Sequence, residues 1–212
     1  MNFAILIIGA YLLGSIPFGV LIARAHGKDL RAIGSGNIGA TNLARAVGRK
    51  WAYVCFLLDA AKGLVPMLAA GVIRSAEPAV VELALTLMVG CAAILGHVFP
   101  VYTGFKGGKG VATSFGVALG LWPYFTLCSL ISFGVWVVVI LVSRYVSLAS
   151  IIAAGMFPIV LVLAVSLAPS WGFGNLWPLV AAAVAIPVMV VMRHRRNIKR
   201  LINGTESKVL QK

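Results

Sequence analysis

Apolar stretches of about twenty residues, cut apart by short basic islands, constrain this chain more than any other feature of its sequence. A helix crosses the bilayer core in roughly 20 mostly apolar residues, because lipid offers its backbone no partners and the segment must bond itself. Sixteen of the eighteen Lys and Arg residues fall in four islands: six from Arg24 to Lys50, then Lys106 and Lys109, Arg144 alone, and seven from Arg193 to Lys212. Only 11% of residues are charged, well under the average of about 25% for soluble domains. Spans are expected near residues 3–23, 52–73, 80–100, 110–124, 126–143, 147–167 and 176–192, with boundaries good to about 2–4 residues. The fourth is short and depends on a turn at Trp122-Pro123-Tyr124; splitting there puts Arg144 on the same side as the other basic islands. The positive-inside rule then predicts an all-α integral membrane protein, a seven-transmembrane helical bundle with the N-terminus outside and the C-terminus cytoplasmic. Residues 1–212 are expected to form a single domain, with 202–212 a flexible tail. Met1-Asn2-Phe3 lacks the positive start of a cleavable signal peptide, so the first span is expected to be retained.

The net charge of +13 is divided among short loops, which suits topology and anionic lipid and speaks against nucleic-acid binding. Cys55, Cys91 and Cys128 lie far apart in apolar segments, without metal-ligand spacing, and are expected to pack. Small-residue runs such as Gly116-Val117-Ala118-Leu119-Gly120 are expected to let helices approach closely. Asp59 and Lys62 sit inside a span on one helix face, where each charge, unpaired, would cost a few kcal/mol. Two readings stand: an ion pair bracing the bundle, or groups supporting a cytoplasmic site from beneath.

The polar chemistry is concentrated in the islands. The first loop, Gly34-Ser35-Gly36-Asn37-Ile38-Gly39-Ala40-Thr41-Asn42-Leu43-Ala44-Arg45, carries three glycines within six residues. Such backbone can turn several N–H groups toward one anion, and Ser35, Asn37 and Asn42 add neutral donors. A helix starting near Thr41 would favour negative charge at its N-terminus and align Asn42, Arg45 and Arg49. The second loop, Gly104-Phe105-Lys106-Gly107-Gly108-Lys109-Gly110, is not a P-loop: Lys109 stands where that pattern needs a glycine, and no strand precedes it. It offers two lysines on a Gly-rich turn, with His97 near the membrane boundary, either bonded to neighbouring backbone or catalytic. In the fourth island His194 and Asn197 align at i, i+3, and Arg193, Asn197 and Arg200 at i, i+4, i+7. A topological basic tail explains the arginines but not the embedded His and Asn.

No G-x-S-x-G elbow, H-E-x-x-H or paired-acid motif is present, and five acidic residues leave little for metal-dependent catalysis. The His-x4-Asp motif of many glycerolipid acyltransferases is missing too. The competing class is an exporter of a phosphorylated solute. Against it, the outward loops around Arg74–Glu82 and Pro169–Asn175 offer no matching polar site, and no pair of broken helices is evident.

Taken together, the Gly34–Arg45 loop, the Gly104–Thr113 loop and the Arg193-His194-x-x-Asn197 tail resemble the bacterial membrane family of acyl-phosphate:glycerol-3-phosphate acyltransferases. Gly14-Ser15-Ile16-Pro17-Phe18-Gly19 and Asp59-x-x-Lys62-Gly63 extend the resemblance over essentially the whole chain. It implies transfer of a fatty acyl group from acyl phosphate to the 1-hydroxyl of glycerol 3-phosphate, giving lysophosphatidic acid and phosphate, at the cytoplasmic face of the bacterial inner membrane. A soluble partner that makes acyl phosphate is implied as well, and no cofactor or metal. On this reading Ser35, Gly36, Asn37, Asn42, Arg45, Lys106, Gly107, Gly108, Lys109 and Ser147 are candidate phosphate-binding residues, Gly107 and Gly108 through their N–H groups. His194, Asn197 and Ser35 are the candidate catalytic residues. An acyl phosphate has a good leaving group, which would account for the missing acid–base pair.

Overall fold

The computed structural model describes residues 2–75, 79–168 and 173–209, with backbone alone for 173–175. Glu77 and Pro169–Gly172, parts of the two expected outward turns, lie outside the described residues. All regular structure among the described residues is helical. The chain divides into two compact units, Met1–Glu77 with Leu85–Leu121, and Pro78–Ala84 with Trp122–Lys212.

In the first unit the opening apolar stretch is two helices, α1 (Phe3–Gly14) and α2 (Phe18–Ala25). Pro17 has no N–H to give and crowds the helical conformation at Ile16, so the helix ends there. The freed Ile16 carbonyl accepts a hydrogen bond of 2.8 Å from Lys62 Nζ. One span is therefore interrupted where an unbroken one is expected.

After the first loop comes α3 (Ala40–Val47), which Gly48, at φ +109°, separates from α4 (Arg49–Ile73). The unit takes up again at Leu85 within α5 (Val80–Val98) and continues through a single 3-10 turn at Val101–Thr103 and α6 (Val111–Gly120). Two long-range contacts depend on missing side chains. Gly14 lies against the Ala93 carbonyl, joining α1 to α5, and Gly116 against the Ala60 carbonyl, joining α6 to α4.

Among the described residues, six helical stretches are long and apolar enough to cross a membrane: Phe3–Ala25, Arg49–Ile73, Val80–Thr103, Tyr124–Ser143, Val146–Leu167 and Leu176–Arg193. The expected fourth span instead holds α6, whose ten residues reach about 15 Å, half the roughly 30 Å of hydrocarbon. It stops at Gly120, and the chain turns through a cis Trp122–Pro123 peptide into α7. Sequence composition marked the segment as apolar; the turn residues at its end limit its length.

The second unit begins with a hairpin of α7 (Tyr124–Ser143) and α8 (Val146–Leu167). Arg144 makes the turn in the left-handed conformation. Trp136 Nε1 donates to Ser150 Oγ at 3.2 Å, and Phe125 meets Phe157 edge to face at 5.0 Å. Ser143, Ser150 and Ser166 each donate to the carbonyl four residues earlier, so these hydroxyls find partners within their own helices. α9 (Phe173–Arg193) follows, and then α10 (Arg195–Ile202), which packs on α8 and α9.

Candidate active site

The first loop is organised around one side chain. Asn42, buried at 2% exposure, accepts from the Ser35 N–H at 3.0 Å through Oδ1. Its Nδ2 donates to the carbonyls of Leu30 at 3.0 Å and Ile33 at 2.9 Å. An amide has one acceptor and two donor hydrogens, so this side chain is fully engaged in shaping the loop. Asn42 is therefore a scaffold for Ser35, a correction to its expected part as a phosphate donor. Asn37 makes a local turn, its Oδ1 accepting from the Gly39 N–H at 2.9 Å, while its own backbone N–H donates to Ser35 Oγ at 3.4 Å. Gly34 lies in the left-handed region at φ +57°, and a side chain there would collide with Asn42 Oδ1 and touch Arg45. Ser35, Asn42 and Arg45 are thus brought together, with Ser35 and Arg45 exposed. The expected alignment of Arg49 with Arg45 does not occur, because Gly48 ends α3 between them.

Arg31, which the sequence offered only as one charge in an island, connects this loop to the second. Its Nη2 donates to the Lys106 carbonyl at 2.8 Å. Both Gly-rich loops therefore belong to one end of the first unit. The Gly107 and Gly108 N–H groups donate to the carbonyls of Val98 at 3.2 Å and His97 at 3.0 Å. Their expected role as phosphate donors is replaced by a structural one, as each amide hydrogen has a partner already. Lys106 is exposed and Lys109 half-buried. His97 is buried, with Nδ1 3.6 Å from Asp59 Oδ1.

The other candidates lie in the second unit. His194 caps α10 and is 2% exposed. Its Nδ1 lies 2.8 Å from the Val190 carbonyl. A carbonyl can only accept, so Nδ1 donates this bond, and in the neutral ring Nε2 is then the basic nitrogen. The helix break at His194 separates Arg193 from Asn197, so the expected Arg193–Asn197–Arg200 stripe is not on one helix.

Residues 203–209 are held in place, where a loose tail is expected from residue 202. Val209 N–H donates to the Arg144 carbonyl at 2.8 Å. The Glu206 side chain, 6% exposed, accepts from Ser147 Oγ at 2.8 Å, Asn197 Nδ2 at 2.6 Å and Arg200 Nε at 2.6 Å. Ser147 and Asn197 are thus brought together by a carboxylate that sequence reasoning left in a tail. The available signal was that it is one of only five acidic residues.

Burial alone would raise the Glu206 pKa, but hydrogen bonds from Asn197, Arg200 and Ser147, with the Arg200 charge, hold it below the ordinary glutamate range. A depressed carboxylate pKa stabilises the fold above the unfolded value, and that contribution is lost as pH falls toward the folded value. Hydrogen exchange of 203–209 should therefore accelerate as pH drops below the ordinary glutamate pKa, after correction for intrinsic rates. Glu206→Gln should remove the effect; a pH-independent difference between the two proteins would contradict it.

A model of the glycerol-3-phosphate acyltransferase family matches residues 4–204. The chain belongs to the glycerol-3-phosphate acyltransferase family. The glycerol-3-phosphate acyltransferase of Geobacter sulfurreducens (strain ATCC 51573 / DSM 12127 / PCA) is 46% identical over 208 residues, 98% of each chain. That of Aquifex aeolicus (strain VF5) is 43% identical over 206 residues, 97% of this chain and 98% of its own. A crystal structure of PlsY (YgiH), an integral membrane glycerol 3-phosphate acyltransferase in its glycerol 3-phosphate form, aligns with a TM-score of 0.83 at 42% identity. The alignment covers 97% of this chain and 94% of that one. Its lysophosphatidic acid form aligns at 0.81 and 41%, with the same coverage. The family resemblance drawn from the three loop motifs is therefore correct, and the enzyme class with it.

Proposed function

We propose that this chain transfers a fatty acyl group from acyl phosphate to the 1-hydroxyl of glycerol 3-phosphate, releasing lysophosphatidic acid and inorganic phosphate. The single observation that carries this reading is the first unit's pairing of the Ser35–Arg45 loop with the Lys106–Lys109 turn through Arg31, within a chain of this family. Two substrates with phosphate groups need such basic, Gly-rich loops, and the alkyl chain of the donor suits a bundle of apolar helices. The orientation is N-terminus outside and C-terminus cytoplasmic in the bacterial inner membrane, with α6 as a short seventh crossing and the reaction at the cytoplasmic face. A soluble enzyme that forms acyl phosphate supplies the donor.

In this reading Ser35, Arg45 and Lys109 hold phosphate oxygens, Lys106 adds charge, and Gly36 and Asn37 shape the turn around Ser35. Ser147, expected among the phosphate donors, gives its one O–H to Glu206 and so holds the 203–209 segment instead. Asn197 and His194 position the acceptor hydroxyl and the developing tetrahedral oxyanion. The hydroxyl oxygen attacks the acyl carbon and its proton passes to His194 Nε2; the tetrahedral intermediate then collapses, breaking the bond from carbon to the phosphate oxygen. The Nδ1 bond to Val190 supports this choice, because it sets the tautomer a base requires.

Detergent-solubilised protein given labelled glycerol 3-phosphate and acyl phosphate should yield labelled lipid; no conversion would overturn the assignment. His194→Gln should lower turnover about 100-fold or more while the protein stays folded. Substantial remaining activity would send the proton directly to the leaving phosphate.

A further inference from the structure

Two charges and a histidine lie buried in the interior of the first unit. Asp59 and Lys62 are each 3% exposed and His97 is 6% exposed. Lys62 Nζ is 2.8 Å from Asp59 Oδ1 and, through its bond to Ile16, holds the break between α1 and α2. Its ammonium also lies 5.6 Å from the Phe18 ring centroid. The same Asp59 oxygen faces His97 Nδ1 at 3.6 Å, beyond hydrogen-bond length but within strong electrostatic reach. Cys55 Sγ approaches the other carboxylate oxygen at 3.6 Å. Replacing a buried ion pair by well-packed apolar residues is often neutral or stabilising by roughly 1–4 kcal/mol, so stability is a weak reason for building one. Geometry offers a better one.

His97 ends this chain of contacts directly against the second loop. Its carbonyl accepts from the Gly108 N–H and the next carbonyl, that of Val98, from the Gly107 N–H. The imidazole itself lies against Gly108, so closely that a methyl group there would overlap Nε2. The Gly107–Gly108 segment is thus seated on His97 by both backbone and ring. The two lysines flank that segment directly, as Lys106 and Lys109.

We propose that Asp59, Lys62 and His97 form a positioning relay: the ion pair fixes the His97 ring, and the ring fixes the height of the Lys106–Lys109 turn against substrate phosphate. The relay rests on the reading of that turn as a phosphate holder. None of the three touches substrate; each acts through the loop. Anchoring at the helix break also gives the α1–α2 interruption a purpose, since the same lysine serves both.

The test separates the relay from that reading and from simple structural support. Kinetics of Lys109→Met first identify the substrate whose KM the turn controls. For that same substrate, His97→Gln and the charge-free pair Asp59→Asn with Lys62→Gln should raise KM about tenfold. kcat should change less than about threefold, with a melting temperature close to the parent's. Gly108→Ala, which pushes the loop off the ring from the other side, should raise the same KM. Combined with His97→Ala, it should do no more than the worse single change. Independent, multiplying effects overturn the relay, as does a fall of kcat in step with lost folded protein. If Lys109→Met moves KM and the interior variants do not, the relay fails and the phosphate reading stands. If Lys109→Met moves no KM, both fall.

Discussion

Gly116→Val should lower the melting temperature by about 6–12 °C or more. A side chain at Gly116 would overlap the Ala60 carbonyl, and one at Gly63, on the facing helix, the Thr113 carbonyl. α4 and α6 therefore meet backbone to backbone. Small residues supply such contact in membranes, where apolar surface gains nothing from leaving lipid. Overpacking costs about 1–3 kcal/mol where a core can adjust; helix backbones cannot, so the loss should exceed roughly 3 kcal/mol. In a chain of this size that is a fall of about 6–12 °C in melting temperature. Gly9→Ala and Gly71→Ala supply the contrast, because no atom lies within 4 Å of the added carbon at either position. They should be neutral or raise stability by up to about 1 kcal/mol, since alanine is the better helix former. Equal effects at all three sites would mean that helix propensity, and not contact, governs.

The second large effect is expected at Asn42. Alanine there leaves the Ser35 N–H and the carbonyls of Leu30 and Ile33 without their partner. Each buried polar group so stranded costs about 1–3 kcal/mol, and partial access of water to the loop should leave a net loss of roughly 2–4 kcal/mol. Asn42→Asp should fare no better, because a carboxylate would face two carbonyl oxygens that need a donor. Turnover should suffer more than stability does. Ser35 is placed by this one side chain, and a displacement of about 1 Å at a positioning residue can cost 100-fold in rate. Melting temperature and turnover measured on the same preparation separate the two effects. Normal turnover per folded molecule would show that the loop holds its shape without Asn42.

Much of this was visible before any coordinates. Hydropathy marked the six long helical stretches, because a lipid-facing helix must be apolar over its whole length. The Gly-Ser-Asn composition of residues 34–42 marked a loop able to meet an anion, and the motif order marked the family. The misassigned loop donors share one cause. Asn42 and the Gly107 and Gly108 amides were counted as donors to substrate because sequence shows which groups can bond, not which already do. Asn42 illustrates it: the residue type was the right one, and its three partners are all within the protein. α6 is shorter than the expected span for a different reason, since the turn residues after Gly120 end the helix at ten residues.

Local pattern determined the helical class, the positions of the long apolar segments and the chemistry gathered in the loops. Periodicity, charge and turn residues act over a few neighbours and can be read along the chain. Tertiary structure alone decided that Lys62 meets Ile16 across 46 residues, Arg31 meets Lys106 across 75, and Ser147 meets Glu206 across 59. Each of these bonds joins groups that carry no mark of one another in the sequence. Their pairing follows from where packed helices leave an unsatisfied carbonyl or charge, which only the folded chain defines.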